Sequence, residues 1–96
     1  MVFEISLTPR AEEEINDAID WYEGKKIGLG ADFYHELVTE FNYIRTYPMH
    51  CPVKRDNFRE AVINRFPFII MFRIIEEQLI IYSVFNTYRN PKSKPR

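Results

Sequence analysis

Apolar and polar positions alternate from Val2 to Leu7, with Phe3, Ile5 and Leu7 on one side and Val2, Glu4 and Ser6 on the other. A period of two predicts a strand with one buried face. The period then changes. Ala11, Ile15, Ala18, Ile19 and Tyr22 follow the four-three spacing of a helical stripe, leaving Glu13, Asn16, Asp17 and Asp20 toward water and Trp21 off the stripe's centre. Thr8 and Pro9 have the chemistry of a helix start, a hydroxyl that caps free amides followed by a residue tolerated at the first helical position. Glu12, Glu13 and Glu14 suit the positive end of the helix dipole. This helix is expected to run to about Glu23 and to end at Gly24 in a left-handed conformation. Ile27-Gly28-Leu29-Gly30 reads as a flexible joint with Ile27 and Leu29 tucked inward. Phe33, Leu37, Val38, Phe41 and Ile44 make a second stripe, on a helix from about Ala31 to Tyr47, where Pro48 disfavours continuation.

The remainder carries strand signals. Phe58–Ile63, Pro67–Ile75 and Leu79–Phe85 are runs rich in β-branched and aromatic residues, and Glu76, Glu77 and Gln78 between the last two predict a tight hairpin. The order is strand, two helices, three strands. Two amphipathic helices and a sheet with an apolar face must bury one another.

At 96 residues the chain is expected to form one domain over 1–96, large enough for a single core and too small to enclose a deep active site. Its lone cysteine, Cys51, cannot close an internal disulfide, and no apolar run is long enough to span a bilayer. A reducing cytoplasm is the expected home, with no membrane partner. The net charge of −1 argues against a general nucleic-acid coat, yet the halves differ. Residues 1–50 carry four basic against ten acidic side chains, a net of −6, and residues 51–96 carry nine against four, a net of +5. A chain polarised in this way can turn a basic face to an anionic partner.

Arg59, Arg65, Arg73 and Arg89 punctuate the late strands, and arginine is the side chain suited to carboxylate or phosphate. The alternative is a set of solvated sheet charges, and which face each occupies depends on a register that sequence leaves open. His35 has no second ligand three or four residues away, because Val38 and Thr39 stand there, so no metal site is expected. His50 beside Cys51 pairs a base with a thiol, but adjacent residues in a proline-bounded loop rarely hold catalytic geometry. Gly28 and Gly30 lack the lysine and preceding strand of a phosphate loop. No cofactor is implied.

Several features in order resemble the small toxins of bacterial type II toxin–antitoxin systems, the ParE/RelE superfamily that includes plasmid stabilisation proteins. They are Gly28-Leu29-Gly30 before Ala31-Asp32-Phe33, Pro48 after the second helix, Arg59 early in the next strand, Phe66-Pro67-Phe68, and Arg89-Asn90-Pro91. The resemblance covers almost the whole chain. It implies an α+β fold of order β-α-α-β-β-β, with a two-helix hairpin packed on a small, mostly antiparallel sheet. It also implies cytoplasmic action and neutralisation by a cognate antitoxin, with Arg59, Arg65, Arg73 and Arg89 as candidate partner-binding residues.

The two branches differ in target, since RelE-like members cut mRNA in the ribosome and ParE-like members are associated with DNA gyrase. Cutting RNA by internal attack requires a base, an acid and cations around the phosphate. If the chain is a nuclease, the candidates are Arg59, Arg65, Tyr88 and Arg89. That set is thin. Where nuclease members carry an arginine after the aromatic that opens the central strand, this chain has Ile69, and the preceding strand has Glu60 in place of lysines. Beyond Arg89, the sequence to Arg96 supplies no catalytic aromatic or histidine. The reading therefore leans to a ParE-like, non-nucleolytic toxin acting on gyrase. Asn86 stands where ParE-like chains often have histidine, and an RNA-cutting toxin acting with ribosome and mRNA, or a non-toxic binding module, stay open. For the antitoxin, Val62, Ile70, Phe72, Leu79 and Ile81 are expected to offer an apolar docking strip beside a sheet edge.

Overall fold

A computed structural model describes residues 2–88. Arg89, and the tail that follows it, lie outside the described residues. Along the chain come β1 (Glu4–Leu7), α1 (Pro9–Lys25), α2 (Leu29–Thr46), a 3₁₀ turn (Pro48–His50), β2 (Val53–Arg55), β3 (Phe58–Val62), β4 (Phe68–Ile75) and β5 (Gln78–Asn86). The strands form one sheet in the order β1-β5-β4-β3-β2. β1 runs parallel to β5, and every other pairing is antiparallel. The helix hairpin covers one face of the sheet.

This is the expected α+β layout with one strand added. β2 was not foreseen because Val53, Lys54 and Arg55 are all exposed and show no apolar period. What forms it is the turn Asp56-Asn57, both residues in the left-handed region at φ 50° and 65°, the geometry of a two-residue hairpin that follows sheet twist. The β4–β5 hairpin closes through Glu76-Glu77, with Ile75 opposite Gln78 and Glu76 at φ 55°.

Helix ends depart from expectation at the hairpin joint. α1 continues through Gly24 to Lys25, and the left-handed residue is Gly28, at φ 91°. Glu23 then caps the next helix, its carboxylate accepting from the amides of Gly28 at 2.9 Å and Gly30 at 3.0 Å. Gly30 is buried where the helices cross, and a Cβ there would sit 2.7 Å from the Ile19 carbonyl oxygen. The joint is therefore tight where flexibility was expected. Ile27 does not tuck inward; it is 92% exposed, and only Leu29 joins the core.

Between hairpin and sheet lies an aromatic nucleus. Tyr22 and Phe33 stack at 5.4 Å, Tyr22 meets Phe66 edge-on at 4.9 Å, and Phe33 meets Phe68 at 4.9 Å. Around it Ala11, Ile15, Leu37, Ile44, Ile70, Phe72, Leu79 and Ile81 are buried, and burial of such side chains is the main driving force for this layer. Pairs at this separation add about 0.5–1.5 kcal/mol each beyond area burial. Thus the motifs around Phe33 and Phe66-Pro67-Phe68, far apart in sequence, meet in space.

The start of α1 locks onto an irregularity in β5. Met71 pairs with Ser83 but Phe72 pairs with Ile81, so Tyr82 is an extra residue and β5 bulges. Thr8 serves both elements: its hydroxyl accepts from Ala11 N at 3.1 Å and donates to the Tyr82 carbonyl at 3.0 Å. Among the described residues no helix is long and apolar enough to cross a membrane.

Candidate functional site

Strand register assigns faces to the arginines. Arg59 pairs with Phe72, a core residue under the helices, so Arg59 points to the helix-covered side. Arg73 pairs with Ile80 and is one residue out of phase with Phe72, so it lies on the opposite, outer face. The two do not share a face of the sheet.

Arg59 is engaged. Its Nη1 donates to the Cys51 carbonyl at 2.6 Å, tying the 3₁₀ turn to β3. Burial pushes the Cys51 thiol up, the Glu40 carboxylate adds to that, and Arg59 opposes it. The thiol is thus held protonated, which removes the nucleophile from the His50–Cys51 pair. His50 is occupied as well: Tyr43 Oη and His50 Nδ1 are 2.7 Å apart, and Tyr47 stacks on the ring at 5.1 Å. The segment is a strut. His35 is exposed on α2, and the described residues contain no group of three His, Cys, Asp or Glu that could hold a metal.

Arg65 sits in the β3–β4 turn at φ 73°, pairs with Glu36 at 3.2 Å and Asp32 at 3.9 Å, and lies over Phe66. It helps line a groove of about 810 Å³ between α2 and the β3–β4 turn, with Tyr88 at its rim. Glu36 and Glu40 line the same groove, and burial raises the Glu40 carboxyl above its ordinary range. Of the nuclease candidates, then, Arg65 and Tyr88 share a groove, Arg59 is not among its lining residues, and Arg89 lies outside the described residues. A groove with two carboxylates and one already paired arginine is poorly suited to a phosphodiester.

Arg73 is placed differently. Its guanidinium lies 4.1 Å from the Phe58 ring centroid and 5.8 Å from that of Tyr82, and its buried Nε makes no hydrogen bond among the described residues. Around it Phe58, Met71 and Phe85 form a small apolar cluster on the outer face, with Ile69 and Tyr82 packed against it. Ile69 and Glu60 are on this same face, opposite Val62 and Met71 respectively.

The expected apolar docking strip needs correction. Ile70, Phe72, Leu79 and Ile81 are fully buried beneath the helices, and only Val62, 67% exposed, remains accessible. Their alternation reports the core face. Further apolar surface is offered by a groove of about 450 Å³ lined by Ile5, Leu7, Tyr34, Val38 and Phe41 among others. Sequence reasoning also passed over Arg55 and read Glu14 only as a first-turn acid. The turn dipeptide Asp56-Asn57 was the signal for Arg55, since a hairpin there puts Arg55 opposite Phe58.

No protein-family model matches the chain, and no curated protein matches it. Among solved structures it is similar to a chain of the chromosomal ParDE TA system from P. aeruginosa, with a TM-score of 0.75. The match covers 88% of this chain and 96% of that one, at 17% sequence identity. The chain therefore has the ParE-like fold that its motifs resemble.

Proposed function

We propose that this chain is the toxin of a type II toxin–antitoxin pair, of the ParE kind, acting in the cytoplasm on DNA gyrase and held inactive by a cognate antitoxin. The observation that carries the reading is the likeness over 88% of the chain to a member of a ParDE system. The choice of gyrase over mRNA rests on the ParE-like resemblance and on the poverty of the nuclease set. Arg59 is spent on the Cys51 carbonyl, Arg65 on Glu36, and the outer face carries Ile69 and Glu60 where cations would be needed.

Induction of the chain in a bacterial host, alone and with the small reading frame adjacent to its gene, tests this. Growth arrest with DNA-damage signalling and intact mRNA, relieved by the second protein, is the expected result. Codon-positioned mRNA cuts that vanish in Arg89→Ala would instead identify an RNA-cutting toxin. Normal growth on induction would identify a non-toxic binding module.

A further inference from the structure

Three strands bring two arginines to either side of one aromatic ring. Arg55 is opposite Phe58 across the β2–β3 hairpin. Extending the Arg59–Phe72 register by one residue puts Phe58 opposite Arg73, in agreement with the 4.1 Å guanidinium–ring contact. Directly opposed residues face the same side of a sheet, so Arg55, Phe58 and Arg73 form a row on the outer face, its arginine Cα atoms about 10 Å apart.

Glu60 lies on the same outer face, two residues along β3 from Phe58, and has a contact of its own. Arg59 and Arg65 have protein acceptors, whereas among the described residues neither Arg55 nor Arg73 is paired with a carboxylate. Arg73 lies over Phe58 with its Nε buried, and Arg55 is exposed at the last strand of the sheet. A guanidinium pre-oriented on an aromatic ring loses little freedom when its terminal nitrogens take a planar, two-oxygen acceptor. On the same face exposed Ile75 lies two residues beyond Arg73 on β4, and exposed Val62 lies four residues beyond Phe58 on β3, past Glu60.

We propose that Arg55 and Arg73 seat the carboxylates of an acidic protein segment whose apolar side chains pack on Val62 and Ile75. The inference deepens the toxin–antitoxin reading and rests on it for the segment's source, the antitoxin. A nucleic acid fits less well. Backbone recognition by charge recruits many cations, and this row has two, beside apolar residues that offer a phosphate chain nothing.

The test is an NMR titration of the full chain with an acetylated ten-residue peptide alternating Leu and Glu, against its Leu/Gln analogue and a ten-nucleotide oligothymidine. Expected is saturable, salt-sensitive binding of the Glu peptide with shifts at Arg55, Phe58 and Arg73. Arg55→Gln should weaken it by about threefold to fivefold, as for an exposed ion pair. Arg73→Lys, which keeps the charge and loses the planar fork, should weaken it comparably, and Lys25→Gln on α1 should leave it unchanged. Arg55→Gln alters an exposed side chain, so folding does not confound it. Equal binding of the Gln peptide, tighter binding of the oligonucleotide, or an unchanged Kd in Arg55→Gln/Arg73→Lys would overturn the seat. Growth arrest plays no part in this readout, so the seat and the toxin reading fail separately.

Discussion

Glu14 Oε1 accepts hydrogen bonds from Ser83 Oγ at 2.6 Å and from Val84 N at 2.9 Å, joining the first helix to the last strand across 69 residues of chain. Its other oxygen faces Arg10 at 3.4 Å. The contact falls at the β5 bulge, where ladder pairing is interrupted and buried polar groups need other acceptors. Ser83 is fully buried. Glu14→Ala should therefore cost about 1–3 kcal/mol in urea unfolding, the penalty of leaving a buried donor unsatisfied. Ser83→Ala should cost less, because Glu14 keeps Val84. A double-mutant cycle should show the two effects to be non-additive, and strict additivity would mean that the bond contributes nothing.

The three glycines should respond to alanine in different directions. Gly24 lies within α1 with open space where a Cβ would go, so Gly24→Ala should raise stability by about 0.5–1 kcal/mol. At Gly30 the added carbon meets the Ile19 carbonyl oxygen at 2.7 Å, and forcing the helices apart should cost about 1–3 kcal/mol. Gly28→Ala should destabilise through its φ of 91° alone. Thermal unfolding of the three variants checks the order; a stabilised Gly30→Ala would contradict the close crossing.

The Glu40 charge should be felt at Cys51. Burial raises both, and the Glu40 charge adds to the rise at Cys51. For a group raised on folding, stability is fully present below its unfolded value and is lost as pH climbs through the folded one. The wild type should thus lose stability relative to Glu40→Gln as pH rises from about 4 toward neutrality. The same variant should speed alkylation of Cys51 at pH 8, because removal of the carboxylate lowers the thiol toward its ordinary range. Unchanged alkylation would show that the two groups do not sense each other.

Much of the architecture could be read from periodicity. The stripe through Ala11, Ile15 and Ala18 and that through Phe33, Leu37 and Ile44 both face the core as their spacing demands. What was hidden had physical causes. β2 is three exposed residues held by turn geometry, and Glu14 looks like any first-turn acid until the β5 bulge is placed beside it. The arginines were recognisable as a group but not separable, since a residue's face depends on register. Register sends Arg59 inward to Cys51 and Arg73 outward onto Phe58. The same logic misassigned Ile70, Phe72, Leu79 and Ile81, because apolar alternation marks a core face and a docking face alike.

The central claim is a target in DNA topology without RNA cleavage, and purified components test it most directly. The chain should be added to DNA gyrase acting on relaxed plasmid, and in parallel to ribosomes stalled on a defined mRNA. The account predicts dose-dependent loss of gyrase supercoiling, reversed by the antitoxin, with the mRNA intact. Unimpaired supercoiling together with mRNA cut in the ribosome would contradict it.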